Sequence, residues 1–170
     1  MESKESLIMT RGNGKKVKFA EMIKVMAEFI MNDLSAEYEL TVGSDSQNFD
    51  YTKLVEVVAL HRVGKGGIFF YNVERLPKIK SIKQKIHTET SMSLQLADGL
   101  VEDLELSLLD KEIDMDDLSI HFKIHCDIGR KGKTSELIKE ITSWVHSCGY
   151  DCEIKPDSYC ASGIANKISK

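Results

Sequence analysis

The chain has 170 residues, 42% hydrophobic and 29% charged, with two prolines and a formal net charge of −4. That length and make-up fit one globular domain with a real core, and the negative balance argues against a generic polyanion binder, whose basic footprint dominates its surface. No apolar run approaches the about 20 residues that span a bilayer, and "MESKESLIMTRGNGKK" lacks the apolar centre of a signal peptide, so no membrane association and a cytoplasmic location are expected.

Residues 1–16 are polar and interrupted by glycine, and read as a flexible N-terminal segment ahead of a single domain over 17–170. Between Val17 and Leu34 the positions Phe19, Met22, Ile23, Met26, Phe29 and Ile30 follow helical spacing. A strand from Tyr38 to Gly43 then runs into Asp45. "KLVEVVALHRV" and "IFFYNVERL", joined through "GKGG", predict a hairpin over 53–75. A basic connector, "PKIKSIKQK", leads to a long helix from about Ser81 to Leu109. "LSIHFKIHCDIG" alternates apolar and polar residues and predicts a strand. "KTSELIKEITSWVHSCG" predicts a helix with a Thr or Ser N-cap and a stop at Gly149. A short strand, "YDCEIKP", and a last helix over "DSYCASGIANKISK" complete the chain.

The order α-βββ-α-β-α-β-α predicts an α/β fold. Its mixed five-stranded sheet has three antiparallel strands, then two parallel ones, with helices on its faces. The four cysteines (Cys126, Cys148, Cys152 and Cys160) form no CxxC pair and are expected to be reduced thiols.

Asp45 closes "TVGSDSQ", where turn-type hydrogen bonding is the plain explanation for an acid. Asp127 ends its own strand in the same way. If those two strands are parallel neighbours, the carboxylates meet, and a divalent cation is the economical remedy for their repulsion. Oxygen donors suit Mg2+ or Mn2+. Glu89 shares a helical face with Ile82, Ile86, Leu96 and Leu100, an expensive place for an unpaired acid. His87 and His125 each lie two residues before one of these acids and invite a zinc reading, but residues two apart on a helix do not share a face, so a hydrogen-bonding or substrate-side histidine is the better reading. "GRKGKT" misses P-loop spacing because Asp127 stands where the first glycine belongs. Arg130, Lys131 and Lys133, beside Asp127, and the lysines before Glu89, Lys83 among them, are candidate phosphate contacts; solvated surface charge is the alternative.

"VGSDSQ", "KIHTETSMS", "IHCDIGRKGKTSELIKEI" and "KPDSYCASGIANK", in this order on these elements, resemble the ribonuclease H-like superfamily, and within it the YkuK-type family. The resemblance covers roughly residues 17–168 on the strand–helix order. It implies acids on the first strand, the first crossover helix and the fourth strand, which correspond to Asp45, Glu89 and Asp127. It also implies metal-dependent phosphodiester hydrolysis of RNA, hybrid or DNA by a two-metal scheme, with Ser46 and Gln47 contacting the nucleic-acid backbone. A fourth acid near the last helix is expected at Asp157, or at position 166, where this chain has Asn. The other reading is a nucleic-acid- or protein-binding module with a degenerate site.

Overall fold

The computed structural model describes residues 4–158. Its strands are β1 (Ile8–Arg11), β2 (Lys16–Lys18), β3 (Glu37–Asn48), β4 (Thr52–Arg62), β5 (Gly67–Leu76), β6 (Ser119–His125) and β7 (Asp151–Glu153), and its helices are α1 (Phe19–Met31), α2 (Ile82–Leu109) and α3 (Ile138–Ser147). Together the strands form one mixed sheet in the order β2-β1-β5-β4-β3-β6-β7. The predicted five strands make up β5-β4-β3-β6-β7: β3, β4 and β5 pair antiparallel, β6 runs parallel to β3, and β7 parallel to β6.

Two further strands correct both the strand count and the expectation of a flexible segment over 1–16. Residues 8–18 form a hairpin that pairs with β5 through Thr10↔Tyr71 and Arg11↔Phe70. Met9 and Val17 point into the core, at 0% and 3% exposure. Each strand carries a single buried side chain, too short a pattern to show a period of two. The turn is made by Gly14, whose φ of +88° suits glycine.

The long crossover helix forms as its pattern predicts. Ser81 caps it, its side chain accepting a hydrogen bond from Gln84 N at 3.3 Å. Ile86, Leu96, Ala97, Leu100, Leu104 and Leu108 form its buried stripe. This stripe packs on Tyr38, Leu40 and Val42 of β3 and on the buried face of α1. Ser44 continues the same β3 face, and its Oγ lies 2.6 Å from Ser93 Oγ, so a polar pair ends the apolar contact between β3 and α2.

Two local expectations change. β3 does not stop before Asp45 but runs on to Asn48, paired with β4 as far as Asn48↔Thr52. A 3-10 turn over Ser135–Leu137 precedes α3, and Thr134 does not cap it; its Oγ1 instead accepts from Gly129 N at 3.2 Å. At the other end α3 stops as predicted at Gly149, with φ +91°. The predicted last helix, Cys160 and Asn166 lie outside the described residues.

Candidate metal centre

β3, β6 and β7 are parallel neighbours, and the last row that joins them is Gly43↔His125↔Glu153. Continued by two residues, this register sets Asp45, Asp127 and Lys155 side by side. Both acids therefore stand where the parallel ladder gives out, although β3 itself continues against β4. The regular parallel register ends there.

Lys155 is drawn in by the backbone. Its N–H donates to Ile128 O at 2.9 Å, and Cys126 N donates to Glu153 O at 2.9 Å. Gly129 lies against it, and a Cβ there would be in contact with Lys155 Cβ at 3.4 Å. Lys155 Nζ consequently lies 2.9 Å from Asp127 Oδ1.

Glu89 reaches the row from α2 and is 7% exposed. Ser46 Oγ donates to Glu89 Oε1 at 2.5 Å, while Ser46 N donates to Asp45 Oδ1 at 3.0 Å, so one serine links two of the acids. A cleft of about 10 Å³, the room of about one water, is lined by Ser44, Glu89, Ser93, His125 and Asp127 among others.

Burial and mutual repulsion raise two of these carboxyls. Burial, and then the charge of Asp127, push the Asp45 carboxyl up to about 6. Glu89 is pushed up to about 8, chiefly by burial, with Asp45 and Asp127 adding repulsion against the Ser46 hydrogen bond. Lys85 and Lys155 oppose the rise at Asp45, and Lys85 does so at Glu89. His125, 3% exposed, is held down to about 4 by burial and by Lys123, and so is neutral at pH 7.

Of the sequence-predicted residues, the structure brings together Asp45, Ser46, Glu89 and Asp127. Asp157 is exposed, in the turn after Ile154, and its charge acts on His125; it is not among the main charges acting on Asp45 or Glu89. Gln47 is exposed farther along β3. Lys83 is exposed, with Nζ 3.9 Å from Glu140 Oε2 of α3, and Glu140 Oε1 also lies 3.0 Å from His87 Nε2. Arg130, Lys131 and Lys133 are exposed on the loop after Asp127, separated from α3 by the 3-10 turn rather than seated at a helix start. Lys155 was not foreseen. Its signal was present, because "CEIK" places it two residues beyond a strand end, as "HCD" places Asp127.

Does this donor set fit a divalent ion? Among the described residues no three His, Cys, Asp or Glu side chains close into a ready-made cage. The donors are nonetheless carboxylates that destabilise one another, which is the chemistry a hard cation answers. Asp45, Glu89 and Asp127 have the oxygen donors such an ion takes, while Lys155 Nζ lies on Asp127 in this arrangement. Among the described residues, Cys126, Cys148 and Cys152 are free thiols, with Cys126 Sγ and Cys152 Sγ 3.8 Å apart.

A parallel ladder that ends in paired acids beside a crossover-helix glutamate defines the class, and the chain belongs to the Ribonuclease H-like family, whose match spans residues 21–170. Among curated relatives it is 37% identical over 163 residues to "Uncharacterized protein YkuK" of Bacillus subtilis (strain 168), a match covering 91% of this chain and 92% of that one. No solved structure matches significantly. Among the described residues, no helix is long and apolar enough to cross a membrane.

Proposed function

We propose that this chain is a divalent-metal-dependent phosphodiester hydrolase acting on nucleic acid. The observation that carries the reading is the convergence of Asp45, Asp127 and the buried Glu89 from three separate elements, with burial and mutual repulsion raising two of them. Asp45, Glu89 and Asp127 would hold Mg2+ or Mn2+, which when bound supplies Lewis-acid stabilisation of a phosphoryl group and a more acidic water.

The chain's own groups set the rest of the chemistry. Ser46 orients Glu89 and fixes Asp45 through its N–H. Lys85, half-buried beside the acids, and the exposed Arg130, Lys131 and Lys133 offer positive charge to a phosphate backbone on either side of them. Family membership supports a nucleic-acid partner in general terms; RNA, hybrid and DNA all remain substrates to be tested.

A binding module with a silent site is favoured by one observation, the Lys155–Asp127 ion pair, which already neutralises one acid. The deciding experiment incubates the protein with single-stranded RNA, RNA/DNA hybrid, single-stranded DNA and branched DNA in Mg2+ or Mn2+, beside Asp127→Asn. Cleavage that needs both metal and Asp127 supports hydrolysis. Binding without cleavage of any substrate supports the module.

A further inference from the structure

Between α2, β5 and the residues around β1 lies a second cavity, of about 710 Å³. That volume suits a small molecule. Its apolar lining includes Leu7, Ile8, Leu76, Met92 and Leu96. Glu56 of β4 also lines it and is 5% exposed. Glu56 pairs in register with Ser44, so it faces α2 from the middle of the sheet.

A carboxylate in such a place is costly without a compensating charge. Asn72, its register partner on β5, hydrogen-bonds it, and Glu74 repels it; no cation is paired with it among the described residues. The cavity's own cations are engaged elsewhere. Lys4 Nζ bonds Asp103 Oδ1 at 2.9 Å, and the Arg75 guanidinium lies 3.8 Å over the Tyr51 ring. Two acids disfavour an anionic ligand, and where Glu56 is ionised only a cation compensates its charge. Glu56 and Glu74 are the acids of this lining, and among the described residues no three His, Cys, Asp or Glu side chains gather as a metal site would need. What fits both the acid and the walls is an organic cation.

We propose that this cavity binds a small aliphatic amine, with its ammonium group seated on Glu56 and its hydrocarbon chain lying along Leu7, Met92 and Leu96. The N-terminal segment that adds Leu7 and Ile8 to the wall is thereby part of a binding site as well as an extension of the sheet. Burial holds the Glu56 carboxyl up to about 8, so the complex forms best where Glu56 is ionised and an alkylamine is still protonated, about pH 9.

The test is calorimetry at about pH 9 on the full chain with n-pentylamine as probe and 1-pentanol as its neutral counterpart. Saturable one-to-one binding of the amine is expected, with the alcohol weaker by at least about tenfold, the difference a charge-assisted contact makes. Glu56→Gln is expected to lose at least the same factor. Met92→Trp, which fills the cavity without touching the acid, is expected to lose binding too and serves if Glu56→Gln fails to fold. Glu89→Gln is expected to bind the amine like the wild type, which separates this cavity from the cleft that Glu89 lines. Absence of saturable binding at millimolar amine, equal binding of amine and alcohol, or unchanged binding in the Glu56 and Met92 variants would overturn the proposal.

Discussion

Glu89→Gln in metal-free protein tests the electrostatic account most directly. Glu89 is 7% exposed and its carboxyl is raised from 4.5 to about 8, with burial as the largest cause. A carboxyl raised on folding favours the folded state only while protonated. Its contribution is complete below about pH 4.5 and is lost as pH rises towards 8. Each pH unit in that window costs about 1.4 kcal/mol, so the wild type gives up about 3 kcal/mol by pH 7 and under about 1 kcal/mol by pH 5.

Glutamine is neutral in both states, and its amide oxygen still accepts the Ser46 hydroxyl. Glu89→Gln is therefore expected to be more stable than wild type by about 2–3 kcal/mol at pH 7, with little difference at pH 5. For a chain of this length that is a gain of roughly 4–12 °C in Tm at pH 7. The assay is thermal unfolding followed by circular dichroism in chelator, at pH 5, 7 and 8, for both proteins. A gap between the two that does not widen with pH would refute the reasoning, as would a variant less stable at pH 8.

Mn2+ affinity is expected to rise about tenfold per pH unit between pH 6 and 8, where Glu89 must give up its proton, and more steeply below 6, where Asp45 must as well; a pH-independent affinity by calorimetry would count against ligation by these acids. Lys155→Ala is expected to tighten Mn2+ binding by a few-fold, because a half-exposed ammonium on Asp127 is worth at most about 1 kcal/mol; weaker binding would show that the lysine helps build the site. Neutralising Lys131 and Lys133 together is expected to weaken nucleic-acid binding evenly across sequences, lowering the log–log salt slope by about 0.9 per lost contact on duplex DNA and about 0.7 on single strands. An unchanged slope in a salt titration would make both lysines plain surface charge.

The sequence by itself determined the parts of this protein that depend on local period. α2 was legible from its apolar stripe, β6 from strict alternation, and the β4–β5 hairpin from β-branched runs about a glycine-rich turn, because side-chain direction repeats every 3.6 or 2 residues whatever the rest of the chain does. Asp45 and Asp127 were visible as acids placed after apolar strands, and Glu89 as an acid on an apolar stripe. Tertiary structure decided what depends on register between distant strands. In residues 8–18 the Asn13-Gly14 pair is a turn signal, but the strands around it are too short to show a period, and their two buried side chains matter only once β5 offers an edge to pair with. Lys155 joins the acids only because β7 aligns Glu153 with His125, and Asp157, near in sequence, acts on His125 instead. Glu56 reads as one charged residue inside a hydrophobic strand, and only the packing of α2 and the N-terminal segment around it encloses it in a cavity. Local patterns fix which face a residue occupies; long-range pairing fixes which other residues it meets there.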